Sequence, residues 1–278
     1  MNAVAAEPAI SKGRSPAELL ARVSASRLQT FHQCRLKFYF RYVAKLKGPK
    51  SPALHVGSSV HYVLQCWNWA RWKGEVIDLA ILRLLFGSFW VFAQAEDPVA
   101  WGDESEPAEM AMTWSLARMY LEQTPIPPNE KPEAVEVAVE ADLSAHGLPT
   151  LIGFIDLVRA GGRIVDFKTA AQTPNSSRAL HLHELQLSCY GVLYRDATGH
   201  KEGGFELHHL VKLKTPKLVV TTAGPMTSAQ ESKLFRAMES YVAGVQRKDW
   251  VPNPSVMGCA CCEYFGECRQ WAGKERHG

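Results

Sequence analysis

The sequence predicts an α/β fold, a central mixed β-sheet of about five strands flanked by helices, with a helical N-terminal part and a C-terminal cysteine tail. Three observations predict it. Apolar residues recur at helical spacing through most of residues 24–123. Pro125, Pro127 and Pro128 then stop helical structure, and the residues that follow alternate or run in short β-branched stretches. Two later helical patterns, residues 178–196 and 228–248, are interleaved with those strands.

In chain order, residues 1–22 read as a flexible tail and residues 23–278 as one domain. Residues 24–45, SASRLQTFHQCRLKFYFRYVAK, offer Ser24 or Ser26 as an N-cap ahead of helical spacing. Helices continue over 57–73 and 76–95, Asp97–Pro107 is a polar, acidic loop, and Ala108–Gln123 is helical again, so the helical part spans 57–123. Ala134–Leu143 alternates as a strand does. Leu151–Val158 and Arg163–Thr169 are apolar runs on either side of Gly161-Gly162, the pattern of a hairpin. Phe205–Leu213 and Lys217–Thr222 complete a sheet core over 134–222, and a helix from Ser228 to Lys248 leads into the cysteine tail, 252–270.

With 46% hydrophobic and 21% charged residues, the chain is excluded from the disordered classes. A net charge of +3 permits a polyanionic partner without requiring one. The first 22 residues lack the continuous apolar run of a secretory signal, so a cytoplasmic protein is expected. Val76–Ala95 is apolar enough to be considered as a membrane span, but Asp78 and Arg83 lie inside it and Gly87-Ser88 interrupts it. A charge at mid-bilayer costs about 2.5–3.5 kcal/mol, so the stretch reads as part of a buried helix pair and no membrane partner is expected.

The chemistry concentrates in GFIDLVRAGGRIVDFKTA. Asp156 lies on one strand of the hairpin, and its partner strand carries Asp166-Phe167-Lys168. Residues two apart on a strand share a face, so Asp166 and Lys168 project together. Two carboxylates in an apolar hairpin repel unless a cation neutralises them, and a hard ion such as Mg2+ takes oxygen ligands. Parity sets a condition. If Gly161-Gly162 were a strict two-residue loop, Asp156 would oppose Phe167 and point away from Asp166; a shared metal therefore needs an odd-length loop or a bulge.

The sequence resembles the PD-(D/E)xK nuclease superfamily in its RecB-like, AddB-like branch, which includes the CRISPR-adaptation nucleases. The resemblance rests on six elements in order: Ser24 to Leu28 with Cys34 and FYFRY; Gly57 to His61; Gly153 to Asp156; Asp166 to Thr169; Gln186 to Tyr190; and the cysteine tail. It implies a restriction-endonuclease-like core and a metal site for Mg2+ or Mn2+ formed by His61, Asp156, Asp166 and the Phe167 carbonyl. Asp156, Asp166 and Lys168 are then the catalytic set, and Gln186 and Tyr190 line the DNA side. As i and i+4 they are neighbours on one helix face, with the tyrosine placed to stack on a base and the amide to contact phosphate. Many relatives carry proline after the first cysteine, where this sequence has Arg35.

Seven cysteines without an export signal argue for metal or cluster ligation over a disulfide framework. Cys259-x2-Cys262-x5-Cys268 brings three thiolates near one centre. The resemblance adds Cys34 as the fourth ligand and a 4Fe–4S cluster as the occupant, with zinc as the rival. Cys261 competes with Cys262 for the second position, and Cys66 and Cys189 read as small core residues. The whole implies an exonuclease acting on DNA ends or single strands. No G-x-x-x-x-G-K-[ST] phosphate loop occurs, so a helicase or recombination partner would supply any motor. The alternative is a nuclease-like DNA-binding module of a larger repair or recombination complex that cuts little or nothing.

Overall fold

The computed structural model describes residues 14–273. In chain order the elements are α1 (Pro16–Ala21), β1 (Arg22–Ser24), α2 (Ala25–Gln33), α3 (Arg35–Phe38) running into a π-helical turn (Tyr39–Val43), α4 (Pro52–Lys73), α5 (Leu79–Glu96) and α6 (Glu106–Gln123). There follow β2 (Ala134–Ala141), a 3-10 turn (Ser144–His146), β3 (Thr150–Arg159), β4 (Arg163–Ala170), α7 (Ser176–Thr198), β5 (Gly204–Val211), β6 (Lys217–Ala223), α8 (Ser228–Gln246), α9 (Val256–Ala260) and α10 (Phe265–Gln270). The fold is α/β with a mixed sheet flanked by helices, as expected, though the sheet has six strands because β1 adds a short one. Three residues are too few for alternation to show in sequence.

The chain divides into two compact units. The first gathers Met1–Gly48, Asp142–Leu151 and Lys233–Gly278. Its start corrects the expected tail over residues 1–22: Ser15 and Glu18 form a capping box, with Pro16 at the first helical position, and Leu19 is buried. Residues 1–13 of that tail lie outside the described residues. Ser24 caps α2, accepting from the Arg27 amide at 3.3 Å. The single helix expected over 24–45 breaks at Cys34, whose backbone is extended with φ −160°. Phe31 packs edge-on against Phe38 and Tyr241, with ring centroids 5.3 and 5.2 Å apart.

The second unit holds Pro49–Ala141 and Ile152–Ser232. Within it β2 pairs with β3, and the sheet continues through β4 and β5 to β6. β3–β4 and β5–β6 are antiparallel and β4–β5 is parallel, with α7 as the crossover. β5 is buried along its whole length, as a central strand covered on both faces must be. Leu157, Val165, Phe167 and Leu210 pack into one core with residues of α4, α5 and α6.

Ser51 and Pro52 start α4 earlier than apolar spacing indicates, and left-handed Gly74 ends it. α5 departs from the buried helix expected over 76–95. Leu82, Phe86 and Trp90 are buried, but Leu84, Val91 and Phe92 are 71%, 65% and 64% exposed. By length and composition α5 is the one helix among the described residues able to cross a membrane, yet its buried stripe belongs to the core of this unit.

The β3–β4 hairpin fixes the register on which the site depends. Arg159 pairs with Arg163, Val158 with Ile164 and Leu157 with Val165, leaving the three-residue loop Ala160-Gly161-Gly162. Gly161 and Gly162 take φ of 77° and 68°, and Glu133 Oε1 accepts from their amides at 2.7 and 3.3 Å. A Cβ on Gly162 would stand 2.4 Å from Tyr194 Oη, whereas one on Gly161 would meet nothing within 4 Å. Gly162→Ala is therefore expected to cost about 2–3 kcal/mol of stability, and Gly161→Ala only the backbone part, about 1 kcal/mol. Urea denaturation of the two variants checks this; equal midpoints would remove the role assigned to Tyr194.

Candidate active site

The hairpin register has an even sum, so the same count that joins Leu157 to Val165 sets Asp156 against Asp166. Leu157, Val165 and Phe167 point into the helical core, so Asp156, Asp166 and Lys168 project on the other side of the sheet. Near the site the Phe167 amide donates to Asp156 Oδ2 at 2.9 Å. Lys168 Nζ is 2.7 Å from Asp166 Oδ2 and donates to Gln186 Oε1 at 2.9 Å. The lysine is thus held by a carboxylate and an amide in a defined position.

His61 comes from the middle of α4. Its Nε2 lies 2.9 Å from the Phe167 carbonyl and its Nδ1 3.5 Å from Asp156 Oδ2. The side chain is 32% exposed, with both ring nitrogens turned to these partners. Glu136 of β2 also reaches this point, and the ligand atoms of His61, Glu136 and Asp156 lie within 4.8 Å of one another. Asp166 is placed beside this group and against Lys168.

Glu136 does not figure among the site residues read from sequence. Its strand, AVEVAVEA, offers Glu136 and Glu140 as equivalent members of a polar face. What distinguishes Glu136 is a left-handed φ of 47° within the strand, a conformation costly for a residue with a Cβ and found at bulges that re-aim side chains. Nothing in the local sequence announces it.

Three carboxylates crowd one imidazole, and their electrostatics follow. Burial alone would lower the His61 pKa, but the adjacent Asp156, and then Asp166 and Glu136, raise it to about 9. Burial, followed by repulsion from Asp156, pushes Glu136 up to about 7. Burial works to raise Asp156 as well, but the His61 charge and hydrogen bond outweigh it and hold that carboxyl below its usual range. Asp166 is the most deeply placed; burial raises it despite Lys168. A site that gathers this much negative charge around an imidazole has the donor set of a hard divalent ion.

Of the two α7 residues expected on the DNA side, Gln186 is half-buried and Tyr190 buried. Tyr190 is only 7% exposed, which leaves no ring face for a base, and this corrects the stacking role expected of it. Its hydroxyl donates to Asp166 Oδ1 at 3.4 Å, and burial followed by the Asp166 charge pushes its phenol far up, so it stays a donor. Gln186 Nε2 donates to the same oxygen at 3.1 Å and to Tyr190 Oη at 2.8 Å. The i and i+4 spacing does make them neighbours, but the pair orients Asp166 and Lys168 from behind.

The cysteines form a separate arrangement in the first unit. Cys34, Cys259, Cys262 and Cys268 line one cavity of 380 Å3, while Cys261 is exposed and does not line it. Cys34 sits where α2 ends and α3 begins, the break in the expected helix. Burial, then the neighbouring Cys34, Cys262 and Cys259, raise the Cys268 thiol, the response of sulfurs gathered at one place. Arg35 pairs with Asp249 and lies over the Phe31 ring, so its place after Cys34 serves packing. Cys189 is buried, and Cys66 is partly buried against the core of the second unit, as expected.

A family model of the PD-(D/E)XK nuclease superfamily matches residues 22–269. Among solved structures, one named "Putative exonuclease" from Eubacterium rectale is similar over 95% of this chain and 93% of its own, with 15% identity and a TM-score of 0.57. At that identity the likeness is one of fold. Another, named SSO0001, covers 87% of this chain and 94% of its own at 13% identity and a TM-score of 0.38, too low to carry an argument. None of the curated proteins matches the chain.

Proposed function

The chain belongs to the PD-(D/E)XK nuclease superfamily, and we propose that within it the chain is a RecB-like, metal-dependent exonuclease that hydrolyses phosphodiester bonds at DNA ends or in single strands. The observation that carries this reading is the convergence of His61, Glu136 and Asp156 within 4.8 Å, beside the Asp166–Lys168 pair. His61, Asp156, Asp166, the Phe167 carbonyl and Glu136 would hold Mg2+ or Mn2+. Such ions polarise a phosphoryl oxygen and lower the pKa of a bound water. Lys168, fixed by Asp166 and Gln186, faces the attacking water and steadies the charge that develops on the phosphate. Tyr190 and Gln186 keep Asp166 oriented. Lacking a phosphate loop, the chain acts on ends already exposed or opened by a helicase partner.

Purified protein incubated with end-labelled single- and double-stranded DNA tests this. Mn2+-dependent release of short products, abolished by EDTA and absent on closed circular single strands, is expected. Cleavage of the circles would make the activity endonucleolytic. No cleavage with any divalent ion would leave only DNA binding.

A pH dependence follows from the same charges. An ion must displace the proton of His61, held until about 9, and that of Glu136, held until about 7. Mn2+ affinity should therefore rise with pH, most steeply below 7 where both protons must leave, and level off above 9. Calorimetric titration across that range measures it, and Glu136→Gln should remove the steeper part. A flat profile would exclude these two side chains as ligands.

We propose that a 4Fe–4S cluster, over zinc, occupies the cavity that Cys34, Cys259, Cys262 and Cys268 line. A single zinc draws four sulfurs to about 2.3 Å from one centre and needs no such cavity.

A further inference from the structure

Beyond Lys168 the sheet and the start of α7 enclose a second pocket, of 310 Å3, that none of the roles above uses. Lys168, Arg178, His183, His209, Leu182 and Pro174 are among its lining residues. His209 lies beside Lys168 across the parallel β4–β5 pair. It is only 4% exposed, and its Nδ1 finds no hydrogen-bond partner among the described residues. His183 faces it with ring centroids 6.0 Å apart, and the buried Nδ1 of His183 is likewise without a partner. Two buried imidazole nitrogens left unpaired beside one pocket are costly unless something else satisfies them. Arg178 stands exposed at the rim, in the first turn of a 23-residue helix whose N-cap Asn175 also lines the pocket and accepts from the Arg178 amide. Among the described residues no carboxylate lines the pocket; Lys168 is paired with Asp166 beside it, which leaves Arg178 as the exposed cation lining it.

We propose that this pocket is a subsite for one nucleotide of the DNA strand, adjoining the catalytic lysine. Its phosphate lies at Arg178 and the start of α7, and its base or sugar lies between Leu182 and the two histidines. The size suits such an occupant, since small-ligand sites begin at about 300 Å3. The chemistry suits it too. Apolar walls, two fixed imidazole nitrogens and a cationic rim are what an anionic, flat, hydrogen-bonding group needs. A subsite of one nucleotide beside the scissile bond would set the register in which the strand end is cut. This inference takes its polymer from the nuclease reading, but the pocket itself does not depend on it.

The test uses the full chain with Ca2+ in place of the reactive metal, a fluorescent single-stranded 12-mer, and deoxyadenosine monophosphate as a separate probe. Arg178→Ala should weaken 12-mer binding and lower the slope of log affinity against log salt by about one, the mark of one lost phosphate contact. Leu182→Glu, at a side chain 69% exposed, should weaken binding further without disturbing the core. Arg236→Ala, at an exposed arginine paired with Glu239, serves as the control and should leave the slope unchanged. The mononucleotide should shift the ring resonances of His183 and His209 in wild type and not in Leu182→Glu. If the 12-mer binds and is cut in Mn2+ but Arg178→Ala and Leu182→Glu match wild type, the subsite is wrong and the nuclease reading stands. If the mononucleotide shifts both histidines and the 12-mer binds but is not cut in Mn2+, the subsite stands and the nuclease reading fails; a 12-mer that does not bind overturns the subsite. An equal loss of slope in Arg236→Ala, or no response to either probe, overturns the subsite.

Discussion

Lys168→Ala should lower DNA cleavage about 1,000-fold or more while leaving Mn2+ affinity close to wild type. The lysine is not itself a ligand, and losing its positive charge beside Asp166 leaves that carboxylate available to the ion; its ammonium otherwise serves Gln186 and the reacting phosphate. Removing one preorganised charge from a site of developing anionic charge costs about 100- to 1,000-fold, and loss of water orientation adds to that. The fold should persist. Burial already raises the Asp166 carboxyl, so without Lys168 and without metal it can take up a proton instead of standing as an uncompensated charge. Asp156→Asn should lose as much activity by a different route. It keeps shape and most hydrogen bonding but removes a ligand charge, so Mn2+ binding should fall with the rate. The pair of variants separates the two roles, since equal cleavage with opposite metal behaviour is not expected from a merely structural change. Full activity in either variant would end the assignment of this site.

The hairpin shows what could be read from sequence and what could not. Parity makes one statement firm: Asp156 and Asp166 share a face only if the turn is odd or a strand carries a bulge. The turn is Ala160-Gly161-Gly162, with both glycines left-handed. Sequence could not say which three residues formed it, because Glu133, remote in the chain, helps to hold the loop. Gln186 and Tyr190 were placed correctly on one helix face, but spacing says nothing about what lies opposite that face. Asp166 lies there, and the tyrosine is closed in. Glu136 is not legible in the sequence, because its approach to His61 depends on one positive φ, a tertiary event with no local mark. The same limit applies to α5, whose apolar composition suggested burial on all sides although only one stripe is covered. Periodicity reports the face that is apolar; it cannot report which apolar residues find a partner.

Cys262→Ala should abolish the brown colour expected of the protein, a broad absorbance near about 400 nm, and should destabilise the first unit severely. That unit is assembled from three separated stretches of chain. Among the described residues those stretches are joined by the packing of Phe31 and Phe38 on Tyr241 and of Phe38 on Trp250, by Arg35 with Asp249, by Lys37 and Arg41 with Glu263, and by the Tyr264 hydroxyl donating to the Leu46 carbonyl at 3.0 Å. Exposed and half-exposed ion pairs of that kind contribute about 0–1 kcal/mol each. A cluster ligated by Cys34 on one side and Cys259, Cys262 and Cys268 on the other closes a loop of about 225 residues, and in the chain-entropy model such a link contributes about 5 kcal/mol. The ion pairs cannot offset a loss of that size, so the first unit should melt at a lower temperature than in wild type. Cys261→Ser is the internal control: its side chain is exposed and outside the cavity, so colour and stability should both survive. Anaerobic purification with iron, sulfide and zinc assays, followed by thermal unfolding of the two variants, decides the matter. A colourless wild type with one zinc per chain would replace the cluster with its rival while leaving the staple in place. A Cys262→Ala protein as stable as wild type would remove the staple altogether, because the thiolates would then be near one another without joining the ends of the chain.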